Sequence, residues 1–255
     1  MMGLRIGMTL QEARTIFKSR VLVSDPFLKR YFEIPRKLAF TVQNTSTSVP
    51  NSNYTSSLEV NTAQELDNSV HDFSVTLSPI PGQERIVAVA RKDMLSRDKM
   101  PTFDIFEKTL LEKYGTPTYS SPTNNVFVWS YDSNGMLQKP GFIKDLNQLG
   151  SCPDAGLRFT QSDDWVLTLP TVVNSLALQL EQLASRCGSI LVRATINFGS
   201  KYSGPDTLIR GYGMTMTGFD AGVRAFEAAK TIVDGARSDA IAEATKKGQQ
   251  QKPEF

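Results

Sequence analysis

The chain has 255 residues, 40% of them hydrophobic and 21% charged, and a formal net charge of +2. That length holds one large domain or two small ones, with a composition ordinary for a globular protein. A near-neutral balance argues against an electrostatic nucleic-acid binder, and the lack of any run of eighteen apolar residues argues against a transmembrane helix.

The N-terminal run Leu4-Arg5-Ile6 leads into Gly7-Met8-Thr9-Leu10-Gln11-Glu12-Ala13. Thr9 is a good helix N-cap, and Glu12 three residues on completes a capping box. Leu10, Ala13, Ile16 and Phe17 then recur at helical spacing, so an amphipathic helix follows. Met1-Met2-Gly3 enters this element without a basic and apolar leader, which leaves a cytoplasmic protein and a mature chain without its signal peptide both open. Arg20, Lys29, Arg30, Arg36 and Lys37 form the densest basic stretch and read as solvated surface. Leu38–Val42 alternates weakly and reads as a strand. Gln43 to Ser57 is rich in Asn, Ser and Thr and reads as an exposed loop, with Asn44, Asn51, Asn53 and Tyr54 as a candidate binding set.

Asp72–Leu77 and Arg85–Arg91 read as two strands of an antiparallel hairpin turned by Pro79-Ile80-Pro81-Gly82. A helix is predicted over Phe103–Lys113, closed by Gly115 with Pro117 beyond, then a strand over Val126–Tyr131 and an Asp132–Gly135 turn. Further on, Leu157–Phe159 and Trp165–Leu169 read as short strands, Val172–Ser185 as a helix ending at Gly188, and Ser189–Phe198 and Thr207–Thr217 as paired strands. A last helix runs from about Phe219 to Ala244. The connections are hairpin-like, so the expected class is α+β: repeated helix-plus-antiparallel-hairpin units, about three in number, with helices packed on a mainly antiparallel sheet. The expected organisation is a tandem module over 1–150, a third strand and helix unit over 151–244, and a flexible polar tail over 245–255.

Gly7-Met8-Thr9 followed by Ala13, and the helix end Tyr114-Gly115-Thr116-Pro117 before the Trp129 strand, carry a resemblance. Together they resemble small envelope modules of the BamE and β-lactamase-inhibitor-protein kind, in which helices pack on a short antiparallel sheet. The resemblance covers about the first half of the chain and departs from the pattern at the polar stretch after Val42. It implies a bacterial envelope protein that binds another protein.

Chemistry is sparse. Cys152 and Cys187 each lie where the chain bends, so a disulfide suited to an oxidising compartment is one reading and two separate thiols the other. His71 is the sole histidine, which leaves no histidine-based metal site, and it has no catalytic partner recognisable in sequence. Ser96-Arg97-Asp98-Lys99 matches a serine–lysine spacing but lacks the companion motifs, and reads as a charged surface loop. Gly211-Tyr212-Gly213 sits inside a strand and is no dinucleotide fingerprint. Trp129 and Trp165 read as core, and Asp132 and Asp163-Asp164 as turn residues. The expectation is therefore a non-enzymatic, periplasmic or secreted protein-binding module with no cofactor, no metal and no nucleic-acid partner. A hydrolase using Ser96 and Lys99, or a cytoplasmic adaptor or virulence-related factor, is the alternative.

Overall fold

A computed structural model of the chain describes residues 3–21, 29–42, 45–62, 70–152, 182, 184–199 and 201–250. Its elements are α1 (Leu10–Val21), β1 (Lys29–Val42), β2 (Thr45–Thr62), β3 (Val70–Leu77), β4 (Ile86–Met94), α2 (Phe103–Tyr114), β5 (Tyr119–Ser121), β6 (Val126–Tyr131), α3 (Leu146–Gly150), β7 (Ile190–Asn197), β8 (Gly211–Gly218) and α4 (Phe219–Gln250). The class is α+β. All eight strands form one sheet in the order β1-β2-β3-β4-β8-β7-β6-β5, and every neighbouring pair is antiparallel.

That order is two four-stranded meanders joined edge to edge through β4 and β8. Each meander is preceded by its own helix, α1 for β1–β4 and α2 for β5–β8. The repeat is thus two helix-and-meander units plus a terminal helix, rather than three helix-and-hairpin units. Sheet pairing decides this, because the β4–β8 contact is remote in sequence. The sheet is continuous across residue 150, since β6 pairs with β7 from Val126↔Thr195 to Tyr131↔Ile190.

Side chains alternate across the sheet, so each register row lies on one face. The row Leu58–Val75–Val89–Met216–Val192–Trp129 crosses six strands. On this face Phe17 and Ala13 of α1 pack with Leu58, Val75 and Val89, while Phe103 and Leu110 of α2 pack with Trp129, Val192 and Met214; Met216 touches both groups. The opposite face is covered by α4. Its Phe219 packs with Val128, Leu191 and the two cysteines, and its Phe226, Ala229 and Val233 pack on Leu38, Val49 and Tyr54 of the β1–β2 hairpin. With 32 residues, α4 is about 48 Å long at 1.5 Å per residue, and its surface beyond Ala240 is exposed.

Several expectations are corrected. Residues 45–57 are not a loop: they belong to β2, which pairs with β1 from Lys29↔Thr62 to Val42↔Thr45 through two register shifts. The polar side chains that suggest a loop are used by the backbone. Ser52 Oγ accepts from the Leu38 N–H at 3.2 Å and donates to the Val49 carbonyl at 2.7 Å, and Ser56 Oγ donates to the Ile34 carbonyl at 3.0 Å. Asn51 takes a positive φ of 52° there, a conformation asparagine tolerates. Strand β1 begins at Lys29, well before the predicted Leu38, because β2 supplies its partner. Residues 207–210 precede β8, with Leu208 bridging Thr102. The helix α4 takes in residues up to Gln250 that the tail reading includes. The strands read at 157–159 and 165–169, most of the 172–185 helix, Asp163, Asp164, Trp165 and Asn44 lie outside the described residues, although 184–187 is helical.

Candidate functional site

The start of α1 is built as its residues predict. The Thr9 N–H and hydroxyl both donate to Glu12 Oε2 at 2.7 Å, and the Glu12 N–H donates to Thr9 Oγ1 at 3.3 Å. These bonds hold the Glu12 carboxyl below its ordinary range. The same residues dock the helix on the sheet. The Gly7 N–H donates to the Ile86 carbonyl, the Ile86 N–H to the Met8 carbonyl, and the Leu10 N–H to the Glu84 carbonyl. Gly7, at φ 86°, makes the bend that permits this.

Docking leaves a cleft of about 610 Å³ between three walls. The first turn of α1 supplies Thr9, Leu10, Gln11 and Arg14; the β1–β2 hairpin supplies Pro35, Asn53, Tyr54 and Thr55; the β3–β4 turn supplies Gly82 to Arg85. Two members of the predicted binding set, Asn53 and Tyr54, therefore line it. Asn53 and Asn51 are exposed, while Tyr54 is buried against α4 and its hydroxyl is pushed up to about 12 by that burial, with Arg36 opposing.

The acidic centre of the cleft, Glu84, is not a residue the sequence analysis singles out. It is 8% exposed, and its Oε1 accepts the Thr55 N–H at 3.2 Å. Beside it Arg14 forks onto Glu33, with Nε–Oε1 at 2.9 Å and Nη2–Oε2 at 2.6 Å, and the Tyr31 hydroxyl donates to the same carboxylate. Arg14 holds the Glu33 carboxyl below its ordinary range against the opposing effect of burial. Arg85 Nη1 donates to the Gly7 carbonyl at 3.1 Å.

A second polar group lies between the two helices on the same sheet face. Asp93 is fully buried; its Oδ1 lies 2.5 Å from His71 Nδ1 and its Oδ2 2.5 Å from Arg91 Nε. The Arg91 guanidinium sits 5.8 Å from the Tyr212 ring centroid. Burial first, then a hydrogen bond to Asp93, pushes the Tyr212 phenol up. Thus His71 has a carboxylate partner that sequence spacing does not reveal, supplied by the β3–β4 register His71↔Asp93. Gly211 belongs to this arrangement: a Cβ there would lie 2.5 Å from the Asp93 carbonyl oxygen.

The remaining candidates separate. Ser96 is buried and Lys99 exposed, at the two ends of one 3-10 turn. Trp129 is core, with Nε1 donating to the Gly115 carbonyl at 2.8 Å. Asp132 Oδ1 accepts from the Asn134 and Met136 N–H groups, closing its turn. Cys152 and Cys187 are joined by a disulfide, both buried, with Cα atoms 5.8 Å apart. Arg193 Nη2 donates to the Cys152 carbonyl at 2.7 Å, and Ser130 Oγ to the Cys187 carbonyl at 2.7 Å, so both half-cystines are held to the sheet. Among the described residues no group of three or more His, Cys, Asp and Glu side chains is arranged to hold a metal ion, and no helix is long and apolar enough to cross a membrane.

No protein family model, no curated protein and no solved structure matches this chain.

Proposed function

We propose that the protein is a non-enzymatic, extracytoplasmic binding module of a bacterial envelope that holds another protein in the α1 cleft. One observation carries this reading. The cleft is walled by amides, a guanidinium fork and a buried carboxylate, and it includes the Asn53–Thr55 segment of β2. Such groups bind by hydrogen bonds and charge, the chemistry of recognition surfaces. The buried Cys152–Cys187 disulfide supports an oxidising compartment, and the resemblance to BamE- and inhibitor-like modules supports a protein partner.

Site-specific photo-crosslinking tests it. Benzoylphenylalanine in place of Asn53 should capture one protein from an envelope extract, and the added variant Gln83→Trp should abolish the capture by filling the cleft. The same probe in place of Glu243, which is exposed on α4 and outside the cleft, should not capture it. Equal capture from both positions, or none from Asn53, would count against the cleft as a binding surface.

A further inference from the structure

The cleft carries one charge that its own walls leave poorly matched, and this deepens the binding reading on which it rests. Glu84 is more than nine-tenths buried, yet the Thr55 N–H is the one donor to its carboxylate among the described residues. A carboxylate removed from water needs an opposite charge or several donors. The cations that line the cleft are engaged elsewhere. Arg14 is committed to Glu33 through both arms of its fork, and Arg85 to the Gly7 carbonyl. The first turn of α1 does not supply the missing donors either. The Leu10 N–H is taken by the Glu84 main-chain carbonyl and the Glu12 N–H by Thr9.

We propose that Glu84 is the anchor for a lysine or arginine side chain that the partner protein inserts into the cleft. Leu10 and Pro35 offer apolar wall to the aliphatic stem, which long basic side chains pack along while their charged ends are paired. Gln11, Asn53 and Gln83 offer amides to the partner's backbone. The site selects for positive charge because a neutral group of the same length would leave the buried carboxylate without its counter-charge.

The test is an NMR titration of the 15N-labelled full chain with the capped peptide acetyl-Gly-Gly-Lys-Gly-Gly-amide. The same peptide carrying Nε-acetyl-lysine, and spermidine, are the other ligands. Wild type should bind the lysine peptide with saturable shifts at Thr55, Gln83 and Glu84. Glu84→Gln retains an oxygen for the Thr55 N–H and should weaken that binding at least about tenfold. Should Glu84→Gln fail to fold, the surface variant Gln83→Trp serves in its place, with loss of binding expected. The acetyl-lysine peptide should bind at least about tenfold more weakly to wild type. Unchanged affinity in the variant, equal binding of the acetylated peptide, or no saturable shift would overturn the proposal. Spermidine binding as tightly as the peptide would overturn the assignment to a protein side chain. If the peptide fails while Asn53 still crosslinks a partner, the binding function stands and the cationic anchor falls.

Discussion

At Gly188 the backbone has φ 86°, and a Cβ would lie 2.1 Å from Ser130 Oγ and 2.7 Å from the Tyr131 carbonyl oxygen. The residue sits between Cys187 and β7, where the chain passes directly over β6. A side chain there meets both backbone strain and a neighbour that cannot move without breaking the Ser130–Cys187 bond. Gly188→Ala should therefore destabilise the fold by about 3 kcal/mol or more, read as a lowered urea midpoint. Gly235, inside α4 with open space around its Cβ position, is the contrasting case: Gly235→Ala should raise stability by about 0.5–1 kcal/mol. In the sequence both are simply glycines at or in a helix. Their opposite roles come from what lies opposite each of them in space. Glu84 teaches the same lesson, because nothing in the turn Gly82-Gln83-Glu84 signals a buried carboxylate.

Among the elements, α1 is legible from its own residues. Thr9 and Glu12 define where it starts, and Ala13 and Phe17 are the buried positions that their spacing implies. Thr9→Ala removes the hydroxyl of the capping box and should cost about 1 kcal/mol in chemical unfolding. Because the same turn forms one wall of the cleft, it should also weaken capture at Asn53 without touching Glu84. The strand β2 is the opposite case. Its Ser, Thr and Asn residues favour turns when judged alone, yet the long β1 strand gives their backbone a partner and Ser52 and Ser56 turn inward to bond main-chain groups. Val49, Tyr54, Leu58 and Val60 are the apolar positions of that strand. They are too widely and irregularly spaced, across two register shifts, to stand out as an alternating pattern.

For the whole molecule, the disulfide and the sheet are linked. The bridge spans 35 residues and its half-cystines are tied to β6 and β7. Replacing both cysteines by serine should lower unfolding free energy by about 3–4 kcal/mol on the chain-entropy account. Equilibrium unfolding of the oxidised wild type and the double variant measures this, and equal stabilities would show that the native sheet contacts alone hold the segment. What the sequence by itself determined is local: the capped start of α1, the Gly115 end of α2, the β3–β4 hairpin, the antiparallel α+β class and the two bends that carry cysteines. These follow from hydrogen bonds and periodicities contained within a few neighbouring residues. Only the tertiary structure decided that β4 pairs with β8 to join two meanders, that a polar stretch becomes β2, that His71 meets Asp93, and that docking of α1 on β4 leaves Glu84 buried at the centre of a cleft. Each of these joins groups distant in the chain or sets how much water reaches them. Local composition carries neither the register that brings them together nor the burial that gives their charges force.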